Sequence, residues 1–365
     1  MDRIKVAVMG CTGLVGQQFV RMLHNHPFFT IHALTSSARS AGKKYGETLS
    51  WAVEGEIPEP MRELVILETS VESILKTGAR IVFSALPASI AEKIESILRG
   101  YGLFIFSNAS AHRFDEDVPI LIPEINSDHL EIVKRQLART KGFIITNSNC
   151  STSGLAMMLK PLEPFGIQSA IVTTFQSISG AGRRGLSAMD IASNVIPFIK
   201  NEEEKIETES RKILGKFDGL KIVNRDMIIN ASCCRVPVRE GHLMGLVIEF
   251  EKDVDVRTVE NALSLFRGVP QEKRLPTAPE FPIVVRHEED RPQPVLDIYA
   301  GSPERARGMA VTVGRIRKKG RLLNLFLLVH NTIRGAAGTC ILNAELALMK
   351  RFIRADQTAT GGGQE

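Results

Sequence analysis

The chain opens on short apolar runs that alternate with stretches of helical spacing. Arg3 to Val8 of RIKVAVMG reads as a strand, and after Gly16 the apolar residues Phe19, Val20 and Leu23 recur at the spacing of one helix face. FTIHALTSS, LVILETS, IVFSALP and LFIFSNAS read as further strands, with helical ESILKTG and SIAEKIESILRGYG between some of them. Strands alternating with helices predict βαβ units and a mostly parallel sheet. FIITNSN closes this region. Beyond Cys150 the pattern changes to long strands with fewer helices, as in SAIVTTFQSIS, HLMGLVIEFEK and MAVTVGRIRKKGRLLNLFLLVHN, which predicts an α+β second domain with a mostly antiparallel sheet. The boundary falls near residue 148.

Val269 to Pro294 holds six prolines and therefore excludes a long helix or a central strand. It reads as an extended surface excursion, one that could reach a partner subunit. TCILNAELALMKRFI has the pattern of an amphipathic helix that packs back on the first domain, and TATGGGQE reads as a disordered tail.

The 365 residues suffice for two domains with large cores, and 44% hydrophobic with 24% charged residues is ordinary globular composition. A net charge of +5, with both signs interspersed, argues against a nucleic-acid surface and is consistent with a small anionic substrate or cofactor. The densest basic run, Lys318 to Arg321, fits a hairpin turn. No apolar run reaches the ~18 residues of a membrane span, and the first residues read as a strand rather than a signal peptide. A soluble cytoplasmic protein is expected. Five cysteines, odd in number and without paired ligand spacing, suggest neither a disulfide framework nor a zinc site.

Gly10-Cys-Thr-Gly13-Leu-Val-Gly16 follows the first strand and opens the first helix, where a backbone without Cβ atoms lets a pyrophosphate approach the helix N-terminus. Such turns also occur for packing alone. The second strand then ends in Thr35-Ser36-Ser37-Ala-Arg39-Ser40, with Lys43 and Lys44 close behind, instead of the carboxylate that NAD-reading folds place on the ribose. Hydroxyls and a guanidinium suit a 2′-phosphate, so NADP is favoured over NAD.

Cys150 stands at the start of a helix-like stretch among Asn147, Ser148, Asn149, Ser151 and Thr152, poor company for a core thiol. The positive end of a helix dipole and its free N–H groups favour thiolate, making Cys150 a plausible nucleophile. Cys11, Cys233, Cys234 and Cys340 read as structural. A thiol nucleophile needs a proton shuttle, and His242, between glycines in GHLMG at a strand entry, is the histidine whose setting stands out. Arg235 lies seven residues earlier. Spacing alone fits a shared cavity and also a surface arginine with a packed histidine.

Taken together, GCTGLVG, NSNCST, TFQSISGAG, RVPVREGH, RPQPVLD and HNTIRGAAG, in that order, resemble aspartate-semialdehyde dehydrogenase over nearly the whole chain. NEEEKIETESRKILG and the form of the second domain are most similar to the archaeal and fungal branch. The resemblance implies a Rossmann-like NADP-binding domain over 1–148, joined by a C-terminal helix within 336–354, and a catalytic and dimerisation domain over 149–335, in a homodimer or homotetramer; 355–365 is the expected tail. It implies Cys150 as nucleophile, His242 as acid/base and Gln176 as the residue orienting the acyl intermediate. Arg235 would grip the substrate α-carboxylate and Glu209 its amino group, while Arg113, Lys212 and Asn149 would bind phosphate. Glu209 and Lys212 lie in a stretch whose acidic-basic pattern allows other registers. NADP contacts are implied for Gly10, Thr12, Gly13, Leu14, Val15, Gly16, Ser36, Ser37, Arg39, Ser84, Ala85, Gly180, Gly182 and Asn331.

The implied reaction is NADPH-dependent reduction of L-aspartyl-4-phosphate to the 4-semialdehyde through a Cys150 thioester, in biosynthesis of the aspartate-family amino acids. A related reductase acting on malonyl-CoA or N-acetylglutamyl phosphate is the nearest competitor. Arg235 with Glu209 suits an amino acid and so favours aspartyl phosphate. A non-catalytic NADP-binding relative fits less well, because both nucleophile and base are present.

Overall fold

The structure is a computed structural model that describes residues 3–48 and 50–353. The expected tail and residue 354 lie outside the described residues. Two compact units are present. One contains residues up to Leu121, Leu130–Asn147 and those from Cys340 onward; the other contains Ile122–His129 and Ser148–Thr339.

In the first unit, β1 (Ile4–Met9), β2 (Phe29–Ser36), β3 (Leu67–Glu68), β4 (Ile81–Ser84), β5 (Phe104–Ser107) and β6 (Phe143–Thr146) form one sheet in the order 3-2-1-4-5-6. Every pairing is parallel, which is the Rossmann arrangement. Val6, Val8, Val82, Phe83, Ile105, Phe106, Ile144 and Ile145 are fully buried. Continuous apolar runs follow from a parallel sheet covered on both faces, and each such side chain contributes roughly 1.5–3 kcal/mol. Helix α1 (Leu14–Leu23) starts three residues before the helix expected after Gly16. LVILETS, expected as a full strand, joins the sheet only through Leu67 and Glu68, at its edge, while Val65 makes an isolated bridge to Lys44.

The last helix, α5 (Gly338–Met349), takes its number from the chain order with α2 (Ala88–Gly100), α3 (Cys150–Leu159) and α4 (Glu202–Ile213). It corrects the amphipathic expectation, because Thr339 to Ala347 are buried around its whole circumference. Its polar side chains are paired instead of solvated. His26 Nε2 lies 2.8 Å from Glu345 Oε1, and Asn343 Nδ2 donates to Asn147 Oδ1 at 2.9 Å. No helix among the described residues is long and apolar enough to cross a membrane.

The second unit is built on β7 (Ile167–Gln176), β8 (Ile228–Arg235), β9 (His242–Phe250), β10 (Ile283–Val285), β11 (Val311–Lys319) and β12 (Leu322–Val329), ordered 8-7-9-12-11-10. The three central pairings are antiparallel and the two outer ones parallel, so the sheet is mixed with an antiparallel centre. Lys318 to Arg321 makes the β11–β12 hairpin turn, with Gly320 at φ 59°. The proline-rich segment is not an extended excursion: Leu275, Thr277, Ala278 and Ile283 are buried, and its strand takes the sheet edge, where proline interrupts no second ladder.

Candidate active site

Three of the residues singled out in the sequence meet at one end of the second sheet. Gln176 ends β7, Arg235 ends β8 directly beside it in register, and His242 opens β9, antiparallel to β7. Parallel β8 and antiparallel β9 flank β7, so residues distant in sequence share one edge. All three are buried.

Helix α3 brings Cys150 as its first residue. Asn149 caps it, its Oδ1 accepting from the Ser151 N–H at 2.9 Å and the Thr152 N–H at 3.2 Å. Asparagine is a strong N-cap, so the helix begins at the cysteine and turns the positive end of its dipole toward the thiol. The capping role thus falls to Asn149, whose side chain was expected near phosphate. Gly154 lets the helix seat closely, since a Cβ there would meet Leu327 and Val329 at 3.1 Å.

Cys150 and Cys234 are half-buried, and burial separates these two from the other three thiols. Desolvation pushes Cys11 and Cys233 up to about 12, and pushes Cys340 well above the ordinary thiol value. Thiols held so firmly protonated are poor nucleophiles.

His242 is held below its ordinary value, at about 3, by burial first and by the nearby positive Arg235 second. The ring is therefore neutral at physiological pH. Its Nδ1 accepts the Ser177 N–H at 3.1 Å, which assigns the ring proton to Nε2. Nε2 is buried and makes no hydrogen bond, leaving a donor for the reaction. Arg235 Nη1 donates to the Ser177 carbonyl at 2.7 Å. Burial pulls the guanidinium below its ordinary value, opposed by the negative charge available to Cys150. A Cβ at Gly180 would fall 2.6 Å from Arg235 Nη1 and 3.2 Å from His242 Cε1, so the absence of a side chain here makes room for both. Asn331 ties the surrounding loops, donating to Ser179 Oγ at 2.8 Å and accepting from the Gly241 N–H at 3.0 Å. Gly182 has φ 86°, which favours glycine at this turn.

The acidic helix α4 divides its carboxylates between two neighbours. Glu203 and Glu207 accept the Cys233 and Ala231 N–H groups of edge strand β8 at 3.1 and 3.0 Å. Glu202 and Glu209 point to the cysteine helix instead. Glu209 is fully buried, and its Oε2 accepts the Asn149 N–H at 2.6 Å; Lys212, also buried, lies one turn further on. Glu202 accepts from Asn149 Nδ2 and Gln176 Nε2. Nothing in three consecutive glutamates distinguishes Glu202 without the fold.

A second feature invisible in sequence is the π-helical turn Ile333–Ala337, within HNTIRGAAG. Arg334 is fully buried and bidentate with Glu124, at 2.7 and 2.9 Å. A Cβ on Gly335 would lie 2.6 Å from Cys150 Cβ. Gly335→Ala is therefore expected to destabilise the fold by about 1–3 kcal/mol through overpacking and to displace the thiol. A thermal melt and the rate of Cys150 alkylation by iodoacetamide check this, and an unchanged alkylation rate would count against the contact.

The remaining predicted residues lie in the first unit. Arg113 is buried, its Nε donating to the Asn147 carbonyl at 2.8 Å and its Nη2 to the Asn108 carbonyl at 3.0 Å. Gly10 has φ 76°, and its Cβ would meet the Ala85 carbonyl at 2.7 Å, beside Ser84 at the end of β4. A Cβ on Gly16 would fall 2.1 Å from the Gly10 carbonyl oxygen. Helix α1, which runs on through Leu14 and Val15, has Gly13 as N-cap and no side-chain cap, unlike α3. An uncapped helix start with no acidic residue in its first turn fits a dinucleotide pyrophosphate. Thr12 Oγ1 and Ser36 Oγ are 2.7 Å apart, while Ser37 and Arg39 are exposed beyond the strand end. Lys44 is occupied by Glu63 at 2.6 Å, and the short β3 sets exposed Glu68 opposite Ser36, a carboxylate the local sequence did not reveal.

Known proteins resemble this chain along nearly its full length. The family models described as semialdehyde dehydrogenase, NAD binding domain, and semialdehyde dehydrogenase, dimerisation domain, match residues 5–133 and 159–334. A Malonyl CoA reductase (NADP) of Metallosphaera sedula is 36% identical over 356 residues, covering 96% of this chain and 98% of the relative. The crystal structure of aspartate semialdehyde dehydrogenase with NADP from Candida albicans superposes with a TM-score of 0.85 at 39% identity, over 96% of this chain and 100% of that one. The aspartate-semialdehyde dehydrogenase of Archaeoglobus fulgidus is 45% identical over 354 residues, covering 96% of this chain and all of the relative. Identity at that level across both domains decides the matter: the chain belongs to the aspartate-semialdehyde dehydrogenase family.

Proposed function

We propose that the chain catalyses the reversible, NADPH-dependent reductive dephosphorylation of L-aspartyl-4-phosphate to L-aspartate-4-semialdehyde, in biosynthesis of the aspartate-family amino acids. The observation that carries this reading is the family membership of a chain in which a half-buried thiol at a helix start accompanies Arg235 and His242. In this reading Arg235 holds the substrate carboxylate through a two-bonded fork and Glu209 faces its amino group. Cys150 attacks the acyl carbon, so that a C–S bond forms as the C–O bond to phosphate breaks. NADPH, when bound, supplies the hydride that reduces the thioester. His242 presents Nε2–H to the oxygen where negative charge develops, and the helix start stabilises the Cys150 thiolate as it departs. Arg113, Lys212 and Asn149 are assigned to the leaving phosphate. Gly10, Gly13 and Gly16 with Thr12, Ser36, Ser37 and Arg39 are assigned to NADP.

The same scaffold supports a second reading, since a relative 36% identical is named a malonyl-CoA reductase. Glu209 beside Lys212 and an arginine at the sheet end favour an amino-acid substrate. The test is purified protein with L-aspartate-4-semialdehyde and NADP⁺, with and without phosphate. Phosphate-dependent formation of NADPH is the expected result. Activity that depends on coenzyme A, or none at all, would overturn the reading.

We also propose a homodimer or homotetramer in the cytoplasm. Ile171, Val247 and Phe326 give one face of the second sheet a partly exposed apolar surface that a second copy would cover, within the region matched by the dimerisation-domain model. None of the five cysteines is in a disulfide, as suits a reducing compartment.

A further inference from the structure

We propose that Glu202 is a positioning residue that fixes the polarity of Gln176 and the seat of Cys150; the inference rests on the reading of Cys150 as nucleophile. Glu202 is the first residue of α4 and only 6% exposed. A single oxygen, Oε1, accepts from Asn149 Nδ2 at 2.9 Å and from Gln176 Nε2 at 2.9 Å. Two amides from different elements, the cap of the cysteine helix and the end of β7, thus converge on one carboxylate.

A carboxylate only accepts hydrogen bonds, so both amides must turn their NH₂ groups toward it. Asn149 has an independent reason to do so, because its Oδ1 is committed to the Ser151 and Thr152 N–H groups. For Gln176 the consequence reaches the chemistry. Its Nε2 also donates to Thr174 Oγ1 at 3.2 Å, so both amide protons are used and only the carbonyl oxygen is left for the site. Gln176 therefore offers an acceptor, able to hold an N–H or O–H of substrate and unable to stabilise an oxyanion. That task falls to His242, whose Nδ1 is occupied and whose Nε2–H is not. Glu202 and Ser177 between them set one acceptor and one donor of fixed sense.

A buried negative charge close to the nucleophile disfavours thiolate. Its presence is explained if the orientation it imposes on the two amides outweighs that effect. Arg235, which feels both Glu202 and Cys150, offsets it.

The test is Glu202→Gln, which keeps the shape and removes the acceptor-only character. The kcat is expected to fall about 10- to 100-fold through misorientation, with KM for aldehyde and phosphate changed less than about threefold. Added to Gln176→Ala, it should cost less than it does alone, because the part that acts through the Gln176 amide is already gone and only the Asn149 contact remains to be lost. Unchanged kcat, or losses that multiply, would overturn the proposal. Should the variant fail to fold, Thr174→Val removes the second acceptor of the same amide, and full additivity with Gln176→Ala would overturn the proposal equally. The rate of Cys150 alkylation by iodoacetamide needs no substrate and should rise several-fold in Glu202→Gln. If the wild-type protein shows no phosphate-dependent aldehyde oxidation, the functional reading fails, and alkylation alone decides whether Glu202 acts on Cys150.

Discussion

Cys150→Ser is expected to lower kcat by at least about 10³-fold while leaving the fold and NADP binding intact. A serine hydroxyl is close to isosteric at the first residue of α3, so the Asn149 cap and the helix packing survive. What changes is the reacting atom. The helix start can favour a thiolate but cannot ionise a hydroxyl, and His242, neutral with its proton on Nε2, has no lone pair there to act as its base. An oxygen ester would also accept hydride less readily than a thioester, whose carbonyl has weaker resonance stabilisation. The measurement is the initial rate of phosphate-dependent NADPH formation, paired with a melting curve. A residual rate within tenfold of wild type would remove Cys150 from the chemistry. Alkylation gives an independent check: substrate should protect Cys150 but not the equally half-buried Cys234, while the buried, firmly protonated Cys11, Cys233 and Cys340 stay unmodified.

The parts legible in the sequence are those that local chemistry writes down. Continuous apolar runs such as IVFS and FIIT reported the buried parallel sheet, and Asn149-Cys150 reported a helix start. Glycines at 10, 13 and 16 reported a tight turn, and at Gly16 the close approach is that of the Gly10 carbonyl within the turn itself. What stayed hidden depends on partners far along the chain. Glu202 gains its meaning from residues 149 and 176, and Arg334 from Glu124, 210 positions away. The last helix looked amphipathic because Asn343 and Glu345 are polar, yet both are buried against Asn147 and His26. Periodicity cannot tell a polar residue that faces water from one that has found a buried partner. The same limit hid Glu68, which reaches Ser36 through strand pairing rather than sequence.

Arg235→Lys is expected to reduce kcat/KM for aspartate semialdehyde about 10²-fold, though the charge is kept and the chain still folds. The guanidinium does two things at once. Nη1 is anchored on the Ser177 carbonyl at 2.7 Å, which fixes the plane of the group and with it the direction of the remaining donors, as the proposed carboxylate fork requires. An ammonium on a flexible stem can satisfy the carbonyl or the substrate, but not both in one plane. The contribution of charge can be separated from that of geometry within the same variant. Burial is the larger cause holding His242 low and Arg235 the smaller, and lysine preserves the smaller one, so the imidazole stays neutral and the pH profile should not move. A lower kcat/KM with an unmoved profile assigns the loss to the fork. A shifted profile would instead make Arg235 an electrostatic neighbour of His242, and unchanged kinetics would place the substrate carboxylate elsewhere. Gly180→Ala, which thrusts a methyl carbon to 2.6 Å from Nη1, should reproduce the kcat/KM loss without touching the arginine at all, because it displaces the same fork by contact.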